Sequence, residues 1–173
     1  AAASPTQCFD AAYDACKIAL EHMTPVVLLT DAFVANGSGA WKLPDLASYP
    51  AINPPYVTPE MKDNYTPYQR NPETGVRYWA IPGQEGYTHI LGGLEKDSKT
   101  GAISTAPDNH DLMCRLRAEK VERIPVPDVK VEGCADDADL LIVGFGGTYG
   151  HLYSAMQEMN QRGKKVALAH FTH

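Results

Sequence analysis

Apolar residues recur at steps of three and four near the start of the chain. Ser4, Pro5 and Gln7 precede them in the order of a helix start, with a capping hydroxyl, a proline in the first turn and a glutamine three residues after the cap. The pattern predicts a helix that ends near His22, and its apolar stripe consists of Phe9, Ala12, Tyr13, Cys16, Ala19 and Leu20.

Residues 26–30 form a short, continuous apolar run. Such a run is typical of a strand that is buried on both faces of a parallel sheet. Asp31 and Asn36 follow it, at the edge where open α/β sheets bind their ligands, so both are candidate pocket residues. The other interpretation is structural, and we favour it: Asp31 ends the strand, and Asn36 forms a turn with the following glycine.

Residues 40–93 lack a periodic pattern. Eight prolines lie from Pro44 to Pro82, interleaved with the aromatic residues Tyr49, Tyr56, Tyr65, Tyr68, Tyr78 and Trp79. A connection of this length is uncommon inside a compact domain, and its aromatic rings need a surface to bury against. We therefore expect an extended arm that lies on another domain or subunit.

The last third of the chain predicts a βαβ unit. A helix over about residues 108–124 comes first and is ended by prolines. Strand 139–143, a glycine-rich turn, a helix and strand 165–170 follow, and Gly163 stands where a helix C-terminal cap belongs. The fold class is therefore α/β, with a pair of parallel strands at its C-terminal end.

The glycine-rich turn invites comparison with dinucleotide-binding folds. Their G-x-G-x-x-G fingerprint requires the third glycine because the helix packs closely against the strand. Gly144 and Gly146 fit the first two places, but Tyr149 stands in the third and Gly150 comes one residue late. The next strand also ends without the carboxylate that binds ribose. We interpret the turn as a tight connection and keep a Rossmann-type NAD(P)-binding domain as an alternative.

The histidines give no stronger signal. His170 and His173 would point to opposite faces of a strand, so their spacing does not predict a metal site. His110 stands beside Asp108 and Asp111 at a helix start, where we interpret it as part of a capping cluster rather than as a catalytic group.

Composition narrows the function classes. The 173 residues are 44% hydrophobic and 21% charged, as in ordinary globular proteins, with a net charge of −6 and no basic run. These values argue against a nucleic-acid-binding surface, and no apolar run reaches the roughly 20 residues that span a bilayer.

The four cysteines are too widely spaced for a zinc or iron–sulfur motif, so we expect reduced thiols in the cytoplasm. A start without Met and an end directly after a strand predict an internal segment of a longer polypeptide.

Three blocks of sequence together resemble a known family. They are residues 24–44, then residues 92–101 with 107–110 and 115–120, and then residues 140–150. In this order and at these distances they resemble the α subunit of the 2-oxoacid:acceptor oxidoreductases, most of all the 2-oxoglutarate:ferredoxin branch. The resemblance covers nearly the whole chain. One departure is that the family often has a histidine between the positions of Glu95 and Asp97, where this chain has Lys96.

The resemblance implies an order of domains. Residues 1–39 would end a thiamine-diphosphate pyrimidine-binding-type domain with a parallel sheet, and residues 40–133 would be a connecting arm with one helix. Residues 134–173 would begin a transketolase C-terminal-like domain. The family's catalytic residues would lie upstream of Ala1, so no catalytic or metal-binding residue is expected in this chain. Asp31 and Asn36 are its only pocket candidates.

The implied activity is the oxidative decarboxylation of a 2-oxoacid, 2-oxoglutarate in this branch, with coenzyme A to acyl-CoA, here succinyl-CoA, and reduced ferredoxin. Thiamine diphosphate and magnesium would be bound mainly by a partner β subunit, and an iron–sulfur cluster by a partner subunit or separate domain. A second αβ unit, ferredoxin as electron acceptor and inactivity of the chain alone are implied as well. A non-catalytic interaction module that docks a partner through the arm is the remaining alternative.

Overall fold

Four α-helices and three β-strands appear in the computed structural model, which describes all 173 residues. The helices are α1 (Cys8–His22), α2 (Ala32–Asn36), α3 (Pro107–Glu122) and α4 (Tyr149–Gln161), and the strands are β1 (Val131–Gly133), β2 (Leu140–Phe145) and β3 (Val166–Phe171). None of the helices combines the length and the apolar character needed to cross a bilayer.

The residues group into two units. The first unit comprises Ala1–Cys16, Val26–Pro50 and Val126–His173, and the second comprises Lys17–Pro25 and Ala51–Pro125. Helix α1 therefore supplies residues to both units. The predicted boundaries after residues 39 and 133 stay predictions, and the two units are described separately.

The first unit is built on a three-stranded sheet with the order β1-β3-β2. Strands β2 and β3 are parallel, and Leu140 pairs with Val166 at one end and Phe145 with Phe171 at the other. Strand β1 pairs with β3 in the antiparallel direction. Helix α4 connects β2 to β3, so the predicted βαβ unit is confirmed. Three-residue β1 escaped prediction because so short a run carries no detectable alternation.

The core of this unit lies between β3 and α4. Leu168 is 0% exposed and packs with Met156 and Val166. Partly buried side chains complete the cluster, namely those of Ile142, Tyr149, Leu152 and Tyr153. Burial of aliphatic side chains of this size stabilises a fold by about 1.5–3 kcal/mol each, so this small cluster dominates the stability of the sheet.

One amide locks the return from α4 into β3. Asn160 donates from Nδ2 to the carbonyl oxygen of Val166 over 2.9 Å and accepts at Oδ1 from the Val166 N–H over 2.8 Å. Gly163 adopts a φ of +78° just after α4, as predicted for a helix C-terminal cap. The tight turn therefore ends α4 directly beside the strand on which it packs.

The prediction of a buried parallel strand over residues 26–30 is wrong. These residues belong to no strand, and the side chains of Val27 and Leu29 are 78% and 52% exposed. The backbone of this segment receives one hydrogen bond, from the N–H of Ala2 to the carbonyl oxygen of Leu29 over 3.2 Å. An apolar run becomes a buried strand only when neighbouring strands pair with it, and the three-stranded sheet contains no strand beside this run.

The predicted N-terminal helix is confirmed as α1, which ends at His22. Its apolar stripe meets aromatic side chains rather than a sheet. Within the first unit, the ring centroid of Phe9 lies 5.8 Å from that of Trp41 and 5.7 Å from that of Tyr49. Tyr13 lies 4.7 Å from Tyr49 on the same side. Aromatic residues of the proline-rich stretch therefore cover α1.

The second unit is irregular apart from α3, the last residues of α1 and a 3-10 helix at Pro59–Asn64, as the absence of periodicity over residues 40–93 predicted. Its sheet-like pairing is limited to isolated bridges, Tyr56 with Trp79, Arg70 with Arg77 and Lys96 with Ile103. The expectation that its aromatic rings lie on another domain or subunit stays a prediction. Some of these rings also pack within the unit, with 6.3 Å between the centroids of Tyr56 and Trp79 and 5.3 Å between those of Tyr65 and Tyr87.

We expect Leu168→Ala to lower the free energy of unfolding by about 2–5 kcal/mol, because the truncation leaves a cavity between β3 and α4. Leu43→Ala, at a side chain that is 79% exposed, is the matched control and should change it by no more than about 0.5 kcal/mol. Urea unfolding followed by circular dichroism measures both. Equal losses in the two variants would contradict the assignment of the core.

Candidate functional site

The glycine turn between β2 and α4 meets Asp31. Residues Gly146–Thr148 form a single 3-10 turn that continues into α4, and both Gly146 and Gly147 are buried. The carboxylate of Asp31 lies against Gly147, where a Cβ atom would stand 2.2 Å from Oδ2. The structure therefore brings together two features that the sequence singled out separately, the pocket candidate Asp31 and the glycine-rich turn.

Asp31 is also the N-cap of α2. Its backbone is extended, and Oδ1 accepts a hydrogen bond from the N–H of Val34 over 2.8 Å. A carboxylate at this place satisfies one of the free N–H groups of the first helical turn. One oxygen of Asp31 thus holds α2 while the other rests on Gly147, an arrangement that fits the structural interpretation of this residue.

Asn36 takes a different place. Its Nδ2 donates to the carbonyl oxygen of Ala32 over 2.8 Å, within α2 itself. No hydrogen bond joins Asn36 to Asp31 or to the glycine turn. The two candidate residues therefore do not converge on one ligand-binding group.

The turn is poorly suited to a dinucleotide pyrophosphate. In a dinucleotide fold the phosphates approach the backbone of the glycine turn at the start of the helix. Here the negatively charged side chain of Asp31 already occupies the space above Gly147. Tyr149, in the place of the third glycine, turns its hydroxyl to Glu132 and donates to Oε2 over 2.9 Å. Two like-charged groups at the turn would repel each other.

An open groove of about 420 Å³ lies beside this turn in the first unit. Its lining includes Glu132, Tyr149 and His170, together with residues 126–130 and the residues at and after the end of β3. Burial and the hydrogen bond to Glu132 raise the pKa of Tyr149 to about 12. This phenol therefore serves as a hydrogen-bond donor near neutral pH and does not ionise.

His170 packs edge-on against the ring of Tyr149, with 5.1 Å between the centroids. Burial lowers the pKa of this imidazole, and the nearby backbone of Gly146 and the charge of Glu132 oppose that shift. Its Nε2 atom is buried without a hydrogen-bond partner. No group of three or more His, Cys, Asp or Glu side chains lies close enough together to hold a metal ion.

The capping role predicted for His110 is wrong. The N-cap of α3 is Ala106, and the side chain of His110 instead contacts Glu95, with 3.0 Å between Nδ1 and Oε2. Asn109, the residue before it, donates to the carbonyl oxygen of Lys96 over 3.0 Å. Sequence reasoning missed the contact between His110 and Glu95 because the two lie 15 residues apart and neither follows a periodic pattern.

No family model matches the chain. It is 44% identical over 167 residues to the 2-oxoglutarate oxidoreductase subunit KorA of Mycobacterium tuberculosis, which covers 96% of this chain and 25% of that protein. It is 23% identical over 165 residues to the 2-oxoglutarate synthase subunit KorA of Methanothermobacter marburgensis, covering 94% of this chain and 42% of that protein. The chain thus spans between a quarter and a half of the length of the curated relatives it matches.

A solved structure is similar as well. The 2-oxoglutarate:ferredoxin oxidoreductase from Magnetococcus marinus, with 2-oxoglutarate, coenzyme A and succinyl-CoA bound, superposes with a TM-score of 0.66 at 30% identity. The match covers 74% of this chain and 22% of that one. The resemblance to the α subunit of the 2-oxoacid:acceptor oxidoreductases is therefore confirmed, as a resemblance to a segment of it.

We expect Asp31→Ala to lower the free energy of unfolding by about 0.5–2 kcal/mol, because α2 loses its cap, and Asp31→Asn to change it little, because asparagine caps equally well. Gly147→Ala should cost about 1–3 kcal/mol, because the new methyl group meets a carboxylate that is fixed by its bond to Val34. Urea unfolding of the single and double variants measures the coupling.

The double variant separates this contact from a general effect of alanine in the turn. Gly147→Ala should cost less in the Asp31→Ala background, with a coupling of about 0.5 kcal/mol or more. Gly150→Ala is the matched control, since no atom lies within 4 Å of a Cβ at that position. Strict additivity of the two substitutions would contradict the contact.

We further expect no saturable binding of NAD(H) or NADP(H), because the Asp31 carboxylate occupies the approach to the turn. Titration calorimetry of the purified protein measures this. Binding at micromolar levels that Gly146→Val abolishes would instead support the dinucleotide alternative.

Proposed function

We propose that this chain is part of the KorA-type α subunit of a 2-oxoglutarate:ferredoxin oxidoreductase, which converts 2-oxoglutarate and coenzyme A to succinyl-CoA and passes the electrons to ferredoxin. The observation that carries the proposal is 44% identity that extends over 96% of the chain. Similarity of this extent includes both units, so it does not rest on one motif such as the glycine turn.

The choice of substrate and co-substrate has separate support. Both curated relatives are named for 2-oxoglutarate, and the similar solved structure contains 2-oxoglutarate, coenzyme A and succinyl-CoA. By this proposal the same compounds are substrate, co-substrate and product of the enzyme to which this chain contributes. A dinucleotide-dependent dehydrogenase has weaker support, because the Asp31 carboxylate stands at the turn that would bind the cofactor.

The family's cofactors do not fit the residues of this chain. Magnesium bound to thiamine diphosphate needs a cluster of oxygen ligands, and an iron–sulfur cluster needs several neighbouring cysteines. No such group of ligands is present, and Cys8, Cys16, Cys114 and Cys134 are free. We therefore assign these cofactors to a thiamine-binding β subunit and to other parts of the enzyme, and the catalytic residues to parts of the subunit outside this chain.

The domain assignment belongs to the same proposal. Residues 134–173 would begin the transketolase C-terminal-like domain, which is supported by the parallel pairing of β2 and β3 around α4. Residues 1–39 would end the pyrimidine-binding-type domain. Asp31 then serves as a capping residue rather than as a pocket residue, which is supported by its bonds to α2.

We propose that partner subunits cover an exposed apolar surface of the second unit. In the second unit, Ile90, Leu91 and Leu94 are 55%, 71% and 65% exposed on one short loop. Exposed apolar groups in a cluster are typical of interfaces. The β subunit or a second αβ unit would cover them, ferredoxin would accept the electrons, and neither nucleic acid nor membrane takes part. A cytoplasmic location is supported by the four free thiols.

Activity of the assembled enzyme tests the proposal. We expect the full-length subunit, co-purified with its thiamine-binding partner, to reduce ferredoxin only when 2-oxoglutarate and coenzyme A are both present. Pyruvate in place of 2-oxoglutarate tests the substrate, and omission of coenzyme A tests the acyl acceptor. Reduction of NAD⁺ without ferredoxin would contradict the proposed class of enzyme. Ferredoxin reduction with pyruvate but not with 2-oxoglutarate would contradict the proposed substrate.

A further inference from the structure

A nucleophile, a base and a carboxylate lie in line on the second unit, away from the turn and the groove. On α3, the Sγ atom of Cys114 lies 3.7 Å from Nε2 of His110, one helical turn earlier. The other ring nitrogen of His110, Nδ1, lies 3.0 Å from Oε2 of Glu95. This is the order in which a thiol, its general base and the group that orients the base are arranged in nucleophilic sites.

The carboxylate fixes the tautomer of the imidazole. Partial burial opposes its ionisation, but hydrogen bonds from His110 and Arg117 hold the pKa of Glu95 below its usual value. An ionised carboxylate only accepts hydrogen bonds, so Nδ1 of His110 carries the hydrogen. The lone pair of Nε2 then faces the sulfur of Cys114 and can take its proton.

Arg117 is a second partner of the same thiol. Its Nη2 donates to Sγ of Cys114 over 3.2 Å, and its Nη1 pairs with Oε1 of Glu95 over 3.2 Å. A guanidinium at this distance stabilises a thiolate, which is the reactive form of cysteine. Arg117 therefore contacts both the thiol and Glu95, and Glu95 keeps His110 and Arg117 in place.

Other positively charged side chains lie near Arg117. Burial lowers the pKa of Lys120, one turn after Arg117, and the positive charges of Arg70, Arg77 and Arg117 lower it further. Several cationic side chains therefore lie together in this part of the second unit.

The position of Cys114 selects the kind of reaction partner. The thiol is exposed, and the side chain of His110 is 67% exposed, so both are reached from solvent. A small electrophile that diffuses to the surface can therefore meet the sulfur. Hydroperoxides fit this description, because they need a thiolate and a proton donor for the leaving oxygen.

We propose that Cys114 is a redox-sensitive modification site that hydroperoxides convert to a sulfenic acid. Nε2 of His110 takes the thiol proton, and the thiolate attacks one peroxide oxygen, so that an S–O bond forms and the O–O bond breaks. The sulfur is oxidised by two electrons, and the peroxide is reduced. The protonated His110 returns the proton to the leaving hydroxide, which departs as water when the oxidant is hydrogen peroxide.

This site is independent of the proposed enzyme activity, because its chemistry needs neither substrate nor cofactor. Cys114 does not belong to the catalytic centre in this proposal. The geometry instead assigns it as a surface cysteine whose own oxidation state changes with the oxidants in the surrounding solution. Two small thiols restore the cysteine. The first condenses with the sulfenic acid to a mixed disulfide and releases water, and the second reduces that disulfide by thiol–disulfide exchange.

Site-resolved labelling of the full-length subunit in its complex tests the proposal. With limiting hydrogen peroxide and dimedone as the trap for sulfenic acid, we expect Cys114 to be labelled at least about tenfold faster than Cys16. Cys16 is the internal control because it is also an exposed helical cysteine but has no hydrogen bond to a histidine or arginine. Mass spectrometry of the peptides measures both rates.

Variants separate the network from simple exposure. His110→Gln and Arg117→Gln should each bring the rate at Cys114 down towards that at Cys16. Arg115→Gln on the same helix, where Arg115 pairs with Asp111 over 2.8 Å, should leave it unchanged. Circular dichroism confirms that α3 is retained. Equal rates at Cys114 and Cys16 in the unmodified protein, or an unchanged rate in both network variants, would overturn the proposal.

Discussion

The parallel pairing of β2 with β3 is the constraint on which the first unit depends. Two parallel strands cannot be joined by a tight turn, so the chain must cross over, and α4 is that crossing. The crossing buries Leu168 and Met156 and is closed by the amide of Asn160, which bonds both the N–H and the carbonyl of Val166. At the other end of the crossing, β2 enters α4 through the glycine turn.

The glycine turn illustrates this dependence. Because β2 must enter α4 within three residues, its backbone passes close to Asp31, and only glycine leaves space there for the carboxylate. The same residue type that permits phosphate binding in dinucleotide folds here permits a contact with an anion of the chain itself. A glycine-rich turn after a strand therefore predicts a close approach to the backbone, and the approaching group decides its function.

The sequence was informative wherever structure depends on neighbouring residues. The end of α1 at His22, the helix between the two parallel strands, the cap at Gly163 and the irregular proline-rich stretch follow from local patterns, and each is confirmed. The cap predicted at Ser4 is wrong, because its side chain makes no capping hydrogen bond and a 3-10 turn over Pro5–Gln7 precedes α1. The prediction of a strand at residues 26–30 failed because an apolar run forms a strand only with partner strands, and local hydrophobicity does not encode those partners. The contact of Asp31 with Gly147 could not be predicted for the same reason, since the two lie more than a hundred positions apart.

The loop that carries Glu95 to the cluster around Cys114 is held in place by Lys96. Lys96 is 2% exposed, and its ammonium donates to the carbonyl oxygens of Gly92 and Leu94 without a carboxylate partner. A buried charge is tolerated only when hydrogen bonds compensate it, so these carbonyls must remain in place and the loop has little freedom. Glu95 lies between the bonded carbonyls and the lysine, and it is therefore held where it meets α3. The hydrogen bonds of Lys96 thus give the loop a fixed shape, and that shape brings the carboxylate of Glu95 to His110 and Arg117.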